Sequence, residues 1–363
     1  MTSAMIHIRA PRALAASWQG LQFLLGFRNG HNFLLWCFLA LGLLGFTLSR
    51  APYLDYYGVF CKRNSLAPIL HAAPGECFFF LNGGQEQIGM MMHLYAIIPC
   101  CLLLFFQFVP VIRQKAVLFH RINGYVVILL MAVALAGGLM ATSNSFGGEV
   151  AFQVANVLLG ASVTICLALA MISIRRLRID QHRAWMLRAW VLASSIITMR
   201  IIQNIAGRAV SGQGYTSLRP CGQINSDGVL PQPVIESVWP GCVAYFTGAS
   251  PEQQVLVRAD YYGLPIEINV ALSIASGASA FIALFLHAMG VEVYLQLTPA
   301  ESERLRQVSY RKQSARGHCY SVRAGPTTAD PGDATKLAPH DDGKCYTGSD
   351  SISEKSFEAG SQE

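Results

Sequence analysis

The stretch Asn123–Thr142, which reads NGYVVILLMAVALAGGLMAT, contains no charged residue and decides the fold class. A helix of about 20 residues is about 30 Å long, which is the thickness of the hydrocarbon core of a bilayer. The apolar residues follow one another without the alternation of a half-buried strand, and backbone in lipid must satisfy its own hydrogen bonds. The stretch therefore predicts a transmembrane helix.

Five further apolar segments predict a bundle of about six transmembrane helices. The chain has 363 residues, of which 53% are hydrophobic and only 13% are charged, a composition too apolar for an ordinary soluble protein. The predicted spans are 33–49, 88–110, 123–142, 150–173, 184–207 and 267–291. We therefore predict an all-α integral membrane protein, with a membrane domain at 33–296 between an N-terminal arm at 1–32 and a basic, then disordered, tail at 297–363.

Basic residues predict the orientation of this bundle. The connection between the second and third spans carries Arg113, Lys115 and Arg121 and no acidic residue. The connection between the fourth and fifth carries four arginines and a single acidic residue, whereas the long loops at 50–87 and 208–266 balance the two signs. By the positive-inside rule, both termini face the cytosol and the two long loops face outward. The net charge of +6 is then an orientation signal and not a nucleic-acid-binding surface.

Cysteines in the two long loops agree with an outward location. Cys61 and Cys77 lie in the first loop, and Cys221 and Cys242 lie in the second. An even number in each loop favours one disulfide within each, although four cysteines allow three pairings. This pattern favours the plasma membrane or a membrane of the secretory pathway. The N-terminal arm contains arginine and no acidic residue, as mitochondrial targeting segments do, so the mitochondrial inner membrane stays an alternative location.

Ionisable residues within the spans or at their ends are the candidate functional residues, because a charge in hydrocarbon is costly. An inner layer is expected to hold His31, His120, His182, His287, Arg121, Arg183 and Arg188. An outer layer is expected to hold His93, Arg200, Gln203, Asn204, Glu267 and Asn269. An ion pair between Arg200 and Glu267, across the fifth and sixth spans, would accommodate both charges.

Three interpretations of these layers stay open. Imidazoles on facing helices ligate the iron of haem b, for which the inner pair would be His120 with His182 or His182 with His287, while His93 is a further candidate ligand. Histidine and arginine also line polar cavities that handle protons or anions. Alternatively, each His-Arg pair reaches lipid headgroups and fixes the depth of its helix. The sequence contains no nucleotide-binding, phosphate-loop, zinc-protease or serine-hydrolase motif, so enzymatic activity stays undecided.

Four sequence elements together resemble a known family. They are His93, His120-Arg121-x-x-Gly124, His182-Arg183-x-Trp185-Met186-x-Arg188 and Arg200. They resemble the multi-pass membrane family catalogued as domain of unknown function 2306, over roughly residues 85–295, and the His-Arg-x-Trp-Met-x-Arg element is the most specific of them. The loop cysteines and the polar tail are similar to those of fungal members, some of which resemble accessory membrane proteins encoded near specialised-metabolite enzymes. The resemblance implies an architecture and candidate positions, and no reaction.

Two functions follow from these observations. The first is a haem-binding or redox-linked membrane protein that uses the inner-layer histidines as ligands. The second is a transporter or accessory membrane protein, without catalytic activity of its own, in which the same residues line a polar cavity or bind headgroups. The expected partners are the lipid bilayer and a small hydrophobic ligand or a redox partner, and no nucleic acid.

Overall fold

The computed structural model describes residues 12–27, 30–62, 72–226 and 228–316. Residues 1–11 of the predicted N-terminal arm lie outside the described residues. So does the predicted disordered tail beyond residue 316.

The described chain is built almost entirely of helices. The longer ones are α1 (Arg12–Leu24), α2 (Gly30–Arg50), α4 (Gln85–Gln107), α6 (Val117–Met140), α7 (Val150–Arg175), α8 (Ile179–Ala193), α9 (Ser195–Val210), α13 (Pro265–Gln296) and α14 (Pro299–Ser314). The shorter ones are α3 (Cys77–Phe80), α5 (Pro110–Lys115), α10 (Cys221–Ser226), α11 (Gln232–Val238) and α12 (Val243–Phe246). Two short strands, β1 (Thr216–Pro220) and β2 (Gln254–Arg258), form an antiparallel pair.

Six helical segments of the described chain are long and apolar enough to cross a membrane, which confirms the predicted fold class. They are Gly30–Leu54, Gln85–Gln107, Val117–Met140, Val150–Arg175, Ile179–Val210 and Pro265–Gln296. The fifth begins five residues before the predicted start at 184, because Asp180, His182 and Arg183 lie inside the helix and not ahead of it. Large apolar side chains such as Phe38 and Phe285 are exposed on the spans, as expected of surfaces that face lipid.

The chain divides into two compact units. The first unit comprises Met1–Gly160 and Ser194–Phe285, and the second comprises Ala161–Ala193 and Leu286–Glu363. In the first unit, α4 and α6 pack closely along their length. Gly89 and Gly137 face each other at this interface, and a Cβ atom on either would collide with the backbone of the other. Small residues allow such close approach of helices in a membrane, where packing and not the hydrophobic effect holds helices together.

The segment between α9 and α13 folds into a small structure that we call the cap, described at 211–226 and 228–264. Both predicted disulfides are formed: Cys61–Cys77 in the first long loop and Cys221–Cys242 in the cap, with Cα–Cα distances of 5.5 and 5.6 Å. The second of them belongs to a small core that also contains Ile235, Trp239 and Val257. The β1–β2 pair is absent from the all-α prediction, since a five-residue strand in a polar loop has too short a pattern to stand out.

The second unit extends the helical structure into the predicted tail. The helix α14 contacts α8 through Ser309, whose hydroxyl accepts from the backbone N–H of Ile179 at 2.8 Å and donates to Asp180 Oδ1 at 3.0 Å. Further along, Gln313 Nε2 donates to the carbonyl of Arg176 at 3.0 Å. The basic part of the tail is therefore an ordered helix as far as the described residues extend.

Candidate functional site

A cluster of charged and aromatic side chains in the first unit surrounds Arg200. We call it the Arg200 site, and its members are Arg50, Tyr53, Glu76, Phe146 and Arg200. They come from α2 and the turn after it, the first long loop, the α6–α7 connection and α9. The electrostatic influence of Glu76, Arg50 and Tyr53 reaches the Arg200 guanidinium.

The Arg200 guanidinium lies over an aromatic ring and has few hydrogen bonds. Its central carbon is 4.3 Å from the centroid of the Phe146 ring. Among the residues that the structure describes, its one hydrogen-bond acceptor is Gln203 Oε1, at 3.4 Å. A guanidinium carries five N–H donors, so most of its donor capacity is left open in a half-buried position within a span.

Glu76 is the carboxyl group of the site and is almost fully buried, at 6% exposure. Its Oε1 atom accepts from the backbone N–H of Phe146 at 2.8 Å. Burial raises the pKa of Glu76 above its ordinary value, and the positive charge of Arg200 acts in the opposite direction. Phe146 adopts a left-handed backbone conformation with φ of 50°, which is uncommon outside glycine, and the bond from Glu76 stabilises it there.

The position of Glu76 is set by its neighbours in the chain. Cys77 is tied to Cys61 by a disulfide. On the other side, the carbonyl of Pro74 accepts from Asn269 Nδ2 at 2.8 Å, and that of Gly75 accepts from Gln223 Nε2 at 3.2 Å. The first disulfide, the cap and α13 therefore hold the segment that places this carboxyl group near Arg200.

Arg50 is the second cation of the site. It ends α2, where the helix dipole favours a positive charge. Its guanidinium lies 5.3 Å from the centroid of the Tyr53 ring, and Nη1 donates to the Tyr53 hydroxyl at 3.2 Å. The site therefore contains two guanidinium groups and one carboxyl group.

Three histidines of the described chain share one hydrogen-bonding pattern. Nδ1 of His93 bonds the carbonyl of Ala134 at 2.8 Å, that of His182 bonds Ala170 at 3.0 Å, and that of His287 bonds Val191 at 2.7 Å. In each case Nδ1 must donate, so the neutral ring carries its proton on Nδ1. Each bond joins two helices: α4 with α6, α7 with α8, and α8 with α13.

These bonds also fix the depth of each histidine within its unit. In the first unit, His93 lies level with Ala134, which is 14 residues after His120 in α6, roughly 21 Å along the axis. In the second unit, His287 lies level with Val191, which is 9 residues after His182 in α8, roughly 13 Å along the axis.

The histidine depths do not fit a haem held by two histidines of one unit. Two axial ligands must approach one iron from opposite faces, which requires equal depth on facing helices. The predicted pair of His182 and His287 fails this condition, and so does the pair of His93 and His120. The other predicted pair, His120 and His182, is divided between the two units. The described residues also contain no group of three or more metal-ligating side chains.

The His-Arg-x-Trp-Met-x-Arg element connects helices of the second unit. Arg188 forms a two-pronged bond to Glu292, at 2.6 Å from Nε and 2.9 Å from Nη2, and lies 4.7 Å from the Trp185 ring centroid. Arg183 donates to Thr298 Oγ1 at 3.3 Å. Glu292 was missed in the sequence, although it is the one carboxylate of its span after Glu267. These contacts account for the element as a structural connection of α8 to α13.

The expected ion pair between Arg200 and Glu267 is wrong. Glu267 Oε1 lies 2.6 Å from Arg258 Nε, and Oε2 accepts from the backbone N–H of Leu264 at 2.7 Å. The cap supplies Arg258 on β2, a partner that a comparison of span depths could not find. The bond to Glu267 raises the pKa of Arg258.

The remaining members of the predicted layers are dispersed. Asn269 accepts from Arg219 Nε at 3.1 Å, and Asn204 Oδ1 accepts from the hydroxyl of Tyr261 at 2.6 Å. Arg121 is exposed at the start of α6, and His31 is exposed at the start of α2. Of the residues predicted for the outer layer, Gln203 and His93 lie near the Arg200 side chain.

Comparison with known proteins supports the resemblance noted in the sequence. Residues 90–219 match the family described as "Predicted membrane protein (DUF2306)". The chain is also 24% identical over 328 residues to the "Ava biosynthesis cluster protein G" of Aspergillus versicolor, a match that covers 78% of this chain and 94% of that relative. No solved structure matches. The predicted resemblance is therefore confirmed.

The DUF2306 match includes Arg188 and Arg200 but not the carboxyl groups that act on them. It contains Arg188, which lies over Trp185, and Arg200, which lies over Phe146. The carboxyl groups that act on these two arginines lie outside it, Glu76 before its start and Glu292 after its end. Both arginines are thus influenced by a carboxyl group of the flanking chain.

We expect Arg188→Ala to destabilise the protein by about 2 kcal/mol, because it leaves the Glu292 carboxylate unpaired. The figure is below that for a fully buried pair, since the Glu292 side chain is 46% exposed. Thermal unfolding of the purified protein in lipid nanodiscs measures the loss. Arg175→Ala, an exposed arginine late in α7, is the matched control. Equal stability of the two variants would show that the pair does not hold the second unit together.

Proposed function

We propose that this chain is an accessory or transport protein of a small-molecule biosynthetic pathway, and not a haem or redox protein. The proposal rests on the hydrogen bonds and the depths of the membrane histidines. His93, His182 and His287 each bond a backbone carbonyl of a neighbouring helix, at depths that separate the histidines of each unit. These bonds tie helices together and leave the histidines of each unit at unequal depths, so no two of them in one unit can share a haem iron.

The Aspergillus relative supports the biosynthetic context. The name of this relative assigns it to a biosynthesis cluster, and the match extends over nearly all of its length. At 24% identity we carry over the context and no reaction. A protein of membrane helices with a polar site and without a recognisable catalytic motif suits the handling or movement of a pathway compound.

We further propose that the cap lies on the non-cytosolic side of the plasma membrane or of a secretory-pathway membrane. Both disulfides lie outside the spans and in the two loops that lack a basic excess. Disulfides persist in oxidising compartments, and cytosolic loops carry the excess of Lys and Arg. The Arg200 site then lies at the non-cytosolic end of the bundle, beside the cap.

The visible absorption spectrum of the purified full-length chain separates this proposal from haem binding. We expect no Soret band after expression in cells supplied with a haem precursor, because the histidines of each unit are at different depths. A stoichiometric Soret band that disappears in His182→Ala would contradict the proposal. Retention of that band in Gln181→Ala, the neighbouring position, would show that the loss is specific.

Deletion of the chain from its host tests the biosynthetic role. We expect at least one small-molecule product to fall severalfold in cell or medium extracts analysed by mass spectrometry, with its precursors accumulating. Reintroduction of the chain should restore the product, which controls for secondary effects of the deletion. Extracts that stay unchanged while the pathway enzymes are expressed would count against the role.

A further inference from the structure

The Arg200 site carries an excess of positive charge. Among the residues that the structure describes, neither Arg50 nor Arg200 forms an ion pair within 4.0 Å, and Glu76 is the carboxyl group whose charge reaches Arg200. With Glu76 ionised, two cations face one anion. An uncompensated charge in a membrane protein is costly and marks a site that takes up a partner.

The open donors of Arg200 match a carboxylate. Its planar guanidinium presents pairs of parallel N–H groups, which bind the two oxygens of a carboxylate in a fork. One acceptor at 3.4 Å, Gln203 Oε1, uses little of this capacity. One bound monoanion would leave the site neutral, whereas a dianion such as phosphate would leave it with a net negative charge.

Aromatic rings lie behind the two cations of the site. Phe146 lies under the Arg200 guanidinium, and Tyr53 lies beside Arg50. Both rings are almost fully buried, at 4% and 8% exposure, so a ligand meets the guanidinium groups and little of the rings.

We propose that the Arg200 site binds the carboxylate of a small monoanionic organic acid, held by Arg200 in the positive field of Arg50. This inference goes beyond the proposed biosynthetic role and does not depend on it.

Glu76 competes with such a ligand for Arg200. The charged and titratable groups that face its carboxyl are the Arg200 guanidinium from α9 and the Tyr53 hydroxyl from the turn after α2, and the backbone of Phe146 and of Ala73 bonds it. When Glu76 takes up a proton, the charge of the site rises by one and the competing anion disappears. Lower pH therefore strengthens binding of the acid, and each bound acid brings a fraction of a proton with it. Burial, which raises the pKa of Glu76, brings this proton uptake closer to neutral pH.

Calorimetric titration of the full chain in nanodiscs, with benzoate as the probe, tests the site. We expect benzoate to bind and benzamide, which has the same shape and no charge, not to bind. Arg200→Gln should weaken benzoate binding at least about tenfold, because it removes a charge-assisted fork. Arg208→Gln, which changes an exposed arginine of the same helix that lies over Tyr261, should leave it unchanged.

A second variant keeps the test decisive if Arg200→Gln does not fold. Glu76→Gln should bind benzoate more tightly than the wild type at neutral pH and should lose the strengthening at lower pH. Wild-type protein that ignores benzoate, or an unchanged affinity and pH profile in Glu76→Gln, would overturn the proposal. Binding of inorganic phosphate, weakened by Arg200→Gln, in a protein that ignores benzoate would overturn the assignment to a carboxylic acid.

Discussion

The cost of placing an arginine within a lipid bilayer governs this structure. A guanidinium in a span must find an anion, an aromatic face or water, and the surrounding helices are positioned by that need. Arg188 has a two-pronged ion pair with Glu292 and the Trp185 ring, within the second unit. Arg200 has an aromatic face in Phe146 but only a long hydrogen bond to Gln203. The first arginine therefore has a direct carboxylate partner, which the second lacks among the described residues.

The first disulfide, the cap and α13 together hold Glu76 near Arg200. This carboxyl group sits next to Cys77 of the first disulfide, and the backbone before it is bonded by Gln223 and Asn269. Its own bond to the Phe146 N–H holds the ring that lies under Arg200 in a left-handed backbone conformation. Loop, disulfide and membrane helix thus form one connected arrangement, in which a loop residue modulates the charge of a site within a span.

The spans and the disulfides could be predicted because each depends on local information. A run of apolar residues such as 123–142 needs no partner to be recognised, and Cys61 with Cys77 lie only 16 residues apart. The partner of Arg200 could not be found in this way. Depth along the spans pointed to Glu267, but the cap supplies Arg258 as the partner of Glu267, and the first long loop supplies Glu76 to Arg200. Depth along the spans also grouped His287 with His182, whereas the carbonyl that His287 bonds lies roughly 13 Å along α8 from His182.

Arg200 and Glu76 stabilise each other's charge, so the effects of changing them are coupled. A double-mutant cycle of Arg200→Gln and Glu76→Gln, measured by unfolding of the full chain in lipid, tests this coupling most directly. We expect the double variant to lose at least about 1 kcal/mol less stability than the two single variants together, because each single change leaves the opposite charge buried and uncompensated. Losses that add to within about 0.4 kcal/mol would contradict it, since the two groups would then be independent.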